Sequence, residues 1–152
     1  MDNLVLDMHM RMWYTISVKD RNLYYFNLLS TIAKDLEPTA CAKVSACIVY
    51  NNRIVSFGTN SKRTDPFVLQ YRKHPQAIFI HAETDAIKKA RRILSEKQLK
   101  HTKMYVCRIS VGRSKWALAK PCIGCYRAIL EYNIKKVYYT CSPGVYEELQ
   151  TS

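Results

Sequence analysis

Apolar side chains along this 152-residue chain follow two periods, one helical and one alternating. From 21 to 36, Leu23, Phe26, Leu29, Ile32, Ala33 and Leu36 keep helical spacing, with Asp20 as the expected cap and Pro38 as the stop. Lys43 to Tyr50 then reads as a strand, Asn51-Asn52 as a tight turn and Arg53 to Gly58 as the return strand. Residues 61 to 76 read as a polar loop holding Pro66 and Pro75, and Ala77 to Ile80 as a short apolar approach to His81. Ala86, Ile87, Ala90 and Leu94 mark one apolar face of a helix that His81 and Glu83 open. Lys103 to Ser110 predicts a strand, Val111-Gly112-Arg113 a turn, and Trp116 to Ala119 a return toward Pro121. A second helix opens at Cys122 and Cys125 and carries Ala128, Ile129 and Leu130. Lys135 to Cys141 predicts a further strand, broken by Pro143-Gly144, with a last helical turn over Val145 to Gln150.

Hairpin, helix, strand, helix, strand predicts an α/β chain: a three-layer α/β/α sandwich whose central mixed sheet of about five strands carries helices on both faces. The length predicts a single domain over 1–152, with residues 1–19 as an N-terminal arm and 142–152 as a C-terminal tail.

The chemistry concentrates at the two helix starts. His81-Ala82-Glu83 and Pro121-Cys122-Ile123-Gly124-Cys125 lie some 40 residues apart, so the fold must bring them together. Imidazole nitrogen and thiolate sulfur are the donors zinc prefers, and a catalytic zinc takes three protein ligands and keeps one position open. His81, Cys122 and Cys125 are the predicted metal ligands, and Glu83 is the predicted catalytic carboxylate. Helix N-termini carry partial positive charge, which favours thiolates at Cys122 and Cys125. A lone Cys-x-x-Cys also suits a structural zinc site or a redox pair. A structural site wants four protein ligands, and only three fall at this spacing. The order His-x-Glu … Pro-Cys-x-x-Cys is the known signature of zinc-dependent nucleobase deaminases, so this step is recognition of a pattern.

Composition narrows the setting. No run of about 18 apolar residues occurs, and Met1-Asp2-Asn3-Leu4 does not open a secretory signal, so neither a membrane span nor export is expected. Of six cysteines, two belong to the motif, and Cys47, Cys107 and Cys141 stand in apolar strands as small buried hydrophobes; Cys41 falls in a turn. That usage predicts a reducing, cytoplasmic compartment. The net charge of +12 is uneven, with 11 basic residues and one acid, Glu96, between 88 and 120. A solvated basic face accounts for it; so does a polyanionic partner such as single-stranded nucleic acid.

Residues 20 to 141 resemble the cytidine and deoxycytidylate deaminase superfamily in element order, most closely its dCMP deaminase-like branch. The resemblance implies hydrolytic deamination of a cytosine deoxynucleotide, dCMP to dUMP, with zinc activating the water that attacks C4 and Glu83 shuttling the protons. It also implies substrate contacts from Asn60, which follows Arg53 to Thr59, and from Ala82. Because relatives of this fold commonly assemble, a homo-oligomer is expected. His in the first ligand position is similar to the nucleotide and polynucleotide branches, so a deaminase of cytosine or adenine in single-stranded DNA or tRNA is the alternative. A silent zinc domain that binds nucleic acid is the third reading, and the presence of Glu83 weighs against it.

The sequence departs from the family in three places. Gly58-Thr59-Asn60-Ser61 replaces the Gly-Tyr-Asn-Gly of dCTP-responsive enzymes, and Asp85 replaces an Asn. The segment 111–120 intervenes before Pro121, and it predicts an extra hairpin whose Arg113, Lys115 and Lys120 form a basic rim beside the pocket.

Overall fold

The computed structural model describes residues 18–37, 42–77 and 79–151, with side chains from Arg21 on. Residues 1–17 of the arm expected over 1–19, together with Pro38 and Cys41, lie outside the described residues, and residues 18–19 belong to a helix. Six strands form one sheet: β1 (Ala42–Tyr50), β2 (Arg53–Thr59), β3 (Lys103–Ser110), β4 (Trp116–Ala117), β5 (Lys136–Ser142) and β6 (Val145–Glu148). The helices are α1 (Val18–Lys34), α2 (Pro66–Leu69), α3 (Ala82–Ala90), α4 (Glu96–Leu99) and α5 (Ile123–Glu131). The path across the sheet is β2-β1-β3-β5-β6, and β4 pairs with β3. Only β3 and β5 run parallel; the remaining pairings are antiparallel.

β1 pairs with β3 along Ala42–Val49, so its inner residues are buried on both faces, as a central strand requires. Ala46 and Ile48 face one core with Met104, Val106 and the apolar faces of α3 and α5. Cys47 and Val49 face the other, where Phe26, Leu29 and Ala33 of α1 pack against Tyr105, Cys107 and Ile109. The expected three-layer α/β/α arrangement is therefore present. Buried polar groups join the layers: Ser45 Oγ donates to the Leu29 carbonyl (2.7 Å), and Tyr105 Oη donates to Asn22 Oδ1 (2.5 Å).

Three local expectations change. Asp20 lies within α1, which includes Val18, and so does not cap it. The 61–76 loop contains α2: Asp65 caps it by accepting from the Phe67 amide (2.9 Å), and Pro66 takes the first helical position, where an amide donor is dispensable. The last segment is strand β6 and not a helical turn or a free tail. Ser142 and Val145 pair across Pro143-Gly144, and Gly144 has φ +75°. Pro followed by a left-handed Gly suits a tight turn, so this dipeptide reverses the chain. Leu149 is buried, and its amide donates to the Val137 carbonyl (2.7 Å). Val145 and Leu149 also stand four apart, which is why the short polar segment reads as helical.

α3 packs directly on β2. A Cβ at Gly58 would lie 2.0 Å from the Ala82 carbonyl oxygen and 2.5 Å from the Ala86 amide nitrogen. Both are backbone atoms, so the two elements would have to separate. Gly58→Ala is therefore expected to destabilise the fold by about 2 kcal/mol or more; a thermal unfolding midpoint equal to the parent's would contradict it. Lys88 donates to Asp65, and this bond holds the Asp65 carboxyl below its usual range. A lowered folded value stabilises the fold above the unfolded value, near pH 4, and is lost as pH falls through it. Asp65→Ala should cost about 1 kcal/mol at pH 7, mostly as a lost cap. In denaturant titrations the gap from the parent should narrow at pH 3.

Candidate metal centre and catalytic cleft

Both motif halves stand at helix N-termini. His81 is the extended N-cap of α3 (φ −93°, ψ 151°), and Cys122 is the extended N-cap of α5 (φ −69°, ψ 170°). Each carbonyl accepts the first intrahelical bond, from Asp85 (3.0 Å) and from Tyr126 (2.8 Å). Their side chains are thereby free to turn toward one another. α5 is seated tightly: a Cβ at Gly124 would lie 1.7 Å from the Tyr71 carbonyl oxygen. Tyr71 in turn donates to Glu131 Oε2 (2.9 Å) at the other end of α5.

The donor atoms of His81, Cys122 and Cys125 all lie within 4.8 Å of one another. His81 Nδ1 is 3.5 Å from Cys122 Sγ and 3.4 Å from Cys125 Sγ. Zinc bonds of about 2.3 Å to sulfur and 2.0–2.1 Å to nitrogen, at tetrahedral angles, place N and S roughly 3.5 Å apart. Both nitrogen–sulfur separations thus match the edges of a zinc tetrahedron. Among the described residues no fourth His, Cys, Asp or Glu joins the group. Cys125 first, and His81 after it, hydrogen-bond Cys122 and pull its thiol down to about 3. The same contact, with burial and the Glu83 charge, pushes Cys125 well up. The two sulfurs titrate as one pair, with one readily held as thiolate.

Glu83 is the second residue of α3 and only 6% exposed. Burial raises its carboxyl above the usual range, and His81 opposes that rise. It lines a cavity of about 250 Å³ together with His81, Cys122, Ala82 and Asn60, so every sequence-predicted site residue except Cys125 reaches it. Cys125 lies behind, buried. Asn60 bridges to β1: its Oδ1 accepts from the Val44 amide (3.0 Å), and its Nδ2 donates to the Ala42 carbonyl (3.1 Å). One donor and one acceptor of the amide remain. Asp85 accepts from the Thr59 amide (3.1 Å) and pairs with Lys89 (3.0 Å), so this departure from the family pattern ties α3 to the end of β2.

Segment 111–117 does form a hairpin, with Arg113 and Lys115 at its exposed tip. They do not line the cavity; Lys120 does, and so does Arg108, which sequence reasoning missed. The signal was in the strand alternation. Met104 and Val106 face the core shared with α3 and α5, and Arg108 is the next residue in that register.

Residues 19–141 match the family model for the cytidine and deoxycytidylate deaminase zinc-binding region. The chain belongs to the cytidine and deoxycytidylate deaminase family. Zinc is the cofactor of this family region, and His81, Cys122 and Cys125 are the residues that could hold it. The chain is 29% identical over 120 residues to a tRNA-specific adenosine deaminase of Buchnera aphidicola subsp. Baizongia pistaciae (strain Bp). That match covers 79% of this chain and 61% of the relative, so the chain spans about three fifths of its length. In fold it resembles cytidine deaminase from Burkholderia pseudomallei, with TM-score 0.57, 14% identity, and coverage of 83% of this chain and 89% of that one. It also resembles dCMP deaminase from the cyanophage S-TIM5 in complex with dCMP and dUMP, with TM-score 0.51, 20% identity and 82% of each chain covered. No helix among the described residues is long and apolar enough to cross a membrane.

Metal analysis of the purified chain should give one zinc per molecule. Cys125→Ala should lose it, because two donors remain, and the unfolding midpoint should fall with the metal. Stoichiometric zinc in that variant would remove Cys125 from the ligand set.

Proposed function

We propose that this chain is a zinc-dependent hydrolytic deaminase of a cytosine deoxynucleotide, converting dCMP to dUMP. One observation carries the reading: three donors cluster within 4.8 Å, and a buried carboxylate, Glu83, shares the cavity that His81 and Cys122 line. Zinc, when bound, acts as a Lewis acid that lowers the pKa of water toward neutrality. Glu83 takes one proton from that water as its oxygen adds to C4 and passes it to the ring nitrogen, then carries the second proton from the new C4 hydroxyl to the amino group, which leaves as ammonia while the C4 carbonyl forms. Ala82, fully buried at the helix start, presents its backbone to the base, and Asn60 uses its remaining donor and acceptor on the sugar or base. The cavity lies just below the roughly 300–1,000 Å³ of sites that enclose drug-sized ligands, which suits one nucleotide with its outer end at the mouth. Among the described residues five cysteines are free, which supports a reducing, cytoplasmic setting. Ile123 and Leu130, exposed on α5, support a homo-oligomer.

A second reading is a polynucleotide deaminase. The +12 charge favours it, as does the printed name of the 29% identical relative. Salt separates the two. A strand contacted at 6–10 phosphates loses about 10³–10⁵ in affinity between 50 and 200 mM salt, and free dCMP far less.

Glu83→Ala should retain its zinc and lose at least about 10²–10⁴ in kcat. Measured ammonia release close to the parent's would overturn the role given to Glu83. In a panel of dCMP, deoxycytidine, a cytosine oligomer and tRNA, dCMP should be the substrate turned over; turnover of the oligomer or tRNA alone would establish the second reading.

A further inference from the structure

Once His81, Cys122, Glu83 and Asn60 have their roles, two charged groups in the cavity remain, Arg108 and Lys120, and both are cations. Several other cations between 88 and 127 have partners. Lys88 bonds Asp65, Lys89 bonds Asp85, Arg91 lies over the Phe67 ring (4.4 Å), and Arg127 donates to the Arg72 carbonyl (2.9 Å). The side chains of Arg108 and Lys120 have no hydrogen-bond or ion-pair partner among the described residues. Arg108 is also half-buried, one strand register beyond Val106, where an apolar residue would extend the core. A partly desolvated guanidinium without a carboxylate is costly unless a ligand supplies the anion.

Its backbone is held firmly. The Arg108 amide donates to Thr140 Oγ1 (3.2 Å), and that fully buried hydroxyl donates to the Ala117 carbonyl (2.8 Å). The Ala119 amide donates to the Thr140 carbonyl (2.9 Å), which sets the chain leading to Lys120. One residue of β5 therefore fixes both cation-bearing segments at one wall of the cavity. β4 belongs to the segment between β3 and Pro121, so that segment helps to build this wall.

We propose that Arg108 and Lys120 hold the phosphate of the substrate, so that the cleft takes a nucleotide in preference to a nucleoside; this rests on the deamination reading above. Arg108 supplies a planar fork for two phosphate oxygens, and Lys120 a mobile point charge at the mouth.

Calorimetry on the zinc-loaded protein tests it with dUMP and deoxyuridine. The parent should bind dUMP roughly tenfold or more tightly than deoxyuridine, the scale of a lost charge-assisted hydrogen bond. Arg108→Gln and Lys120→Gln should each shrink that gap and leave deoxyuridine binding unchanged, Arg108→Lys should restore part of it, and Lys97→Gln, exposed on α4, should keep it. In turnover the loss should appear in KM for dCMP, with kcat held. If only a cytosine oligomer is turned over, the same KM loss on it assigns the phosphate to a strand. Equal affinity of dUMP and deoxyuridine in the parent, or equal weakening of both in the variants, overturns the proposal. A protein that prefers dUMP through Arg108 but deaminates no cytosine compound keeps this inference and overturns the deamination reading.

Discussion

The contact between β2 and α3 is the constraint on which the site depends. Ser56 and Gly58 share one face of β2, Asn60 follows the end of that strand, and each meets the neighbouring structure differently. Ser56 Oγ donates to the Ala86 carbonyl (2.8 Å) in the body of α3. Gly58 has no side chain, so the helix start drops onto the strand at Ala82. Asn60 reaches past the helix end to the backbone of β1 and lines the cavity. This gradation sets the depth of α3, and with it the positions of His81 and Glu83. On the other side Gly124 seats α5 against Tyr71, which sets Cys122 and Cys125. Residues more than 40 positions apart meet at zinc spacing because two backbone contacts allow no side chain between them.

Much of this was legible in the chain. The helical face Ala86, Ile87, Ala90 and Leu94 is buried as its spacing implies, and Lys103–Ser110 is strand over the expected residues. The metal ligands were legible because their chemistry is rare and their spacing is local: two residues lie between Cys122 and Cys125, and Glu83 is two positions beyond His81. The end of the chain was not. β6 is an edge strand whose mostly exposed residues show no alternation, and its identity rests on pairing with β5. α2 was hidden because one turn of helix has no periodicity to read; its signal was the Asp65-Pro66 cap. Asn60 was placed at the cavity from its position, while its bonds to β1 depend on a neighbour that only the tertiary fold supplies.

Charge shows the same division between local and tertiary information. The excess of cations from 88 to 120 reads as one feature in the sequence, yet the fold distributes it. Lys88 and Lys89 are used within the structure, and Arg113 and Lys115 stand out at a hairpin tip. Arg108 and Lys120 turn into the cavity. The count of cations from 88 to 120 therefore overstates the case for a polyanion, because two of them pair with acids of the chain and two line the cavity.

The pairing of β4 with β3 bears on how a cation can share the cavity with Glu83. In the proposed reaction Glu83 exchanges protons, and a guanidinium beside it would hold it ionised. Burial dominates Glu83, and His81 is the group that opposes it. Arg108 emerges from β3 where Thr140 and β4 close the strand edge, and it is not among the groups that shift Glu83. A cation at that place acts on whatever fills the cavity and leaves the proton-carrying carboxylate to its own surroundings. On the proposed reading, the wall built by β4 and Thr140 keeps phosphate recognition apart from proton transfer within one small cleft.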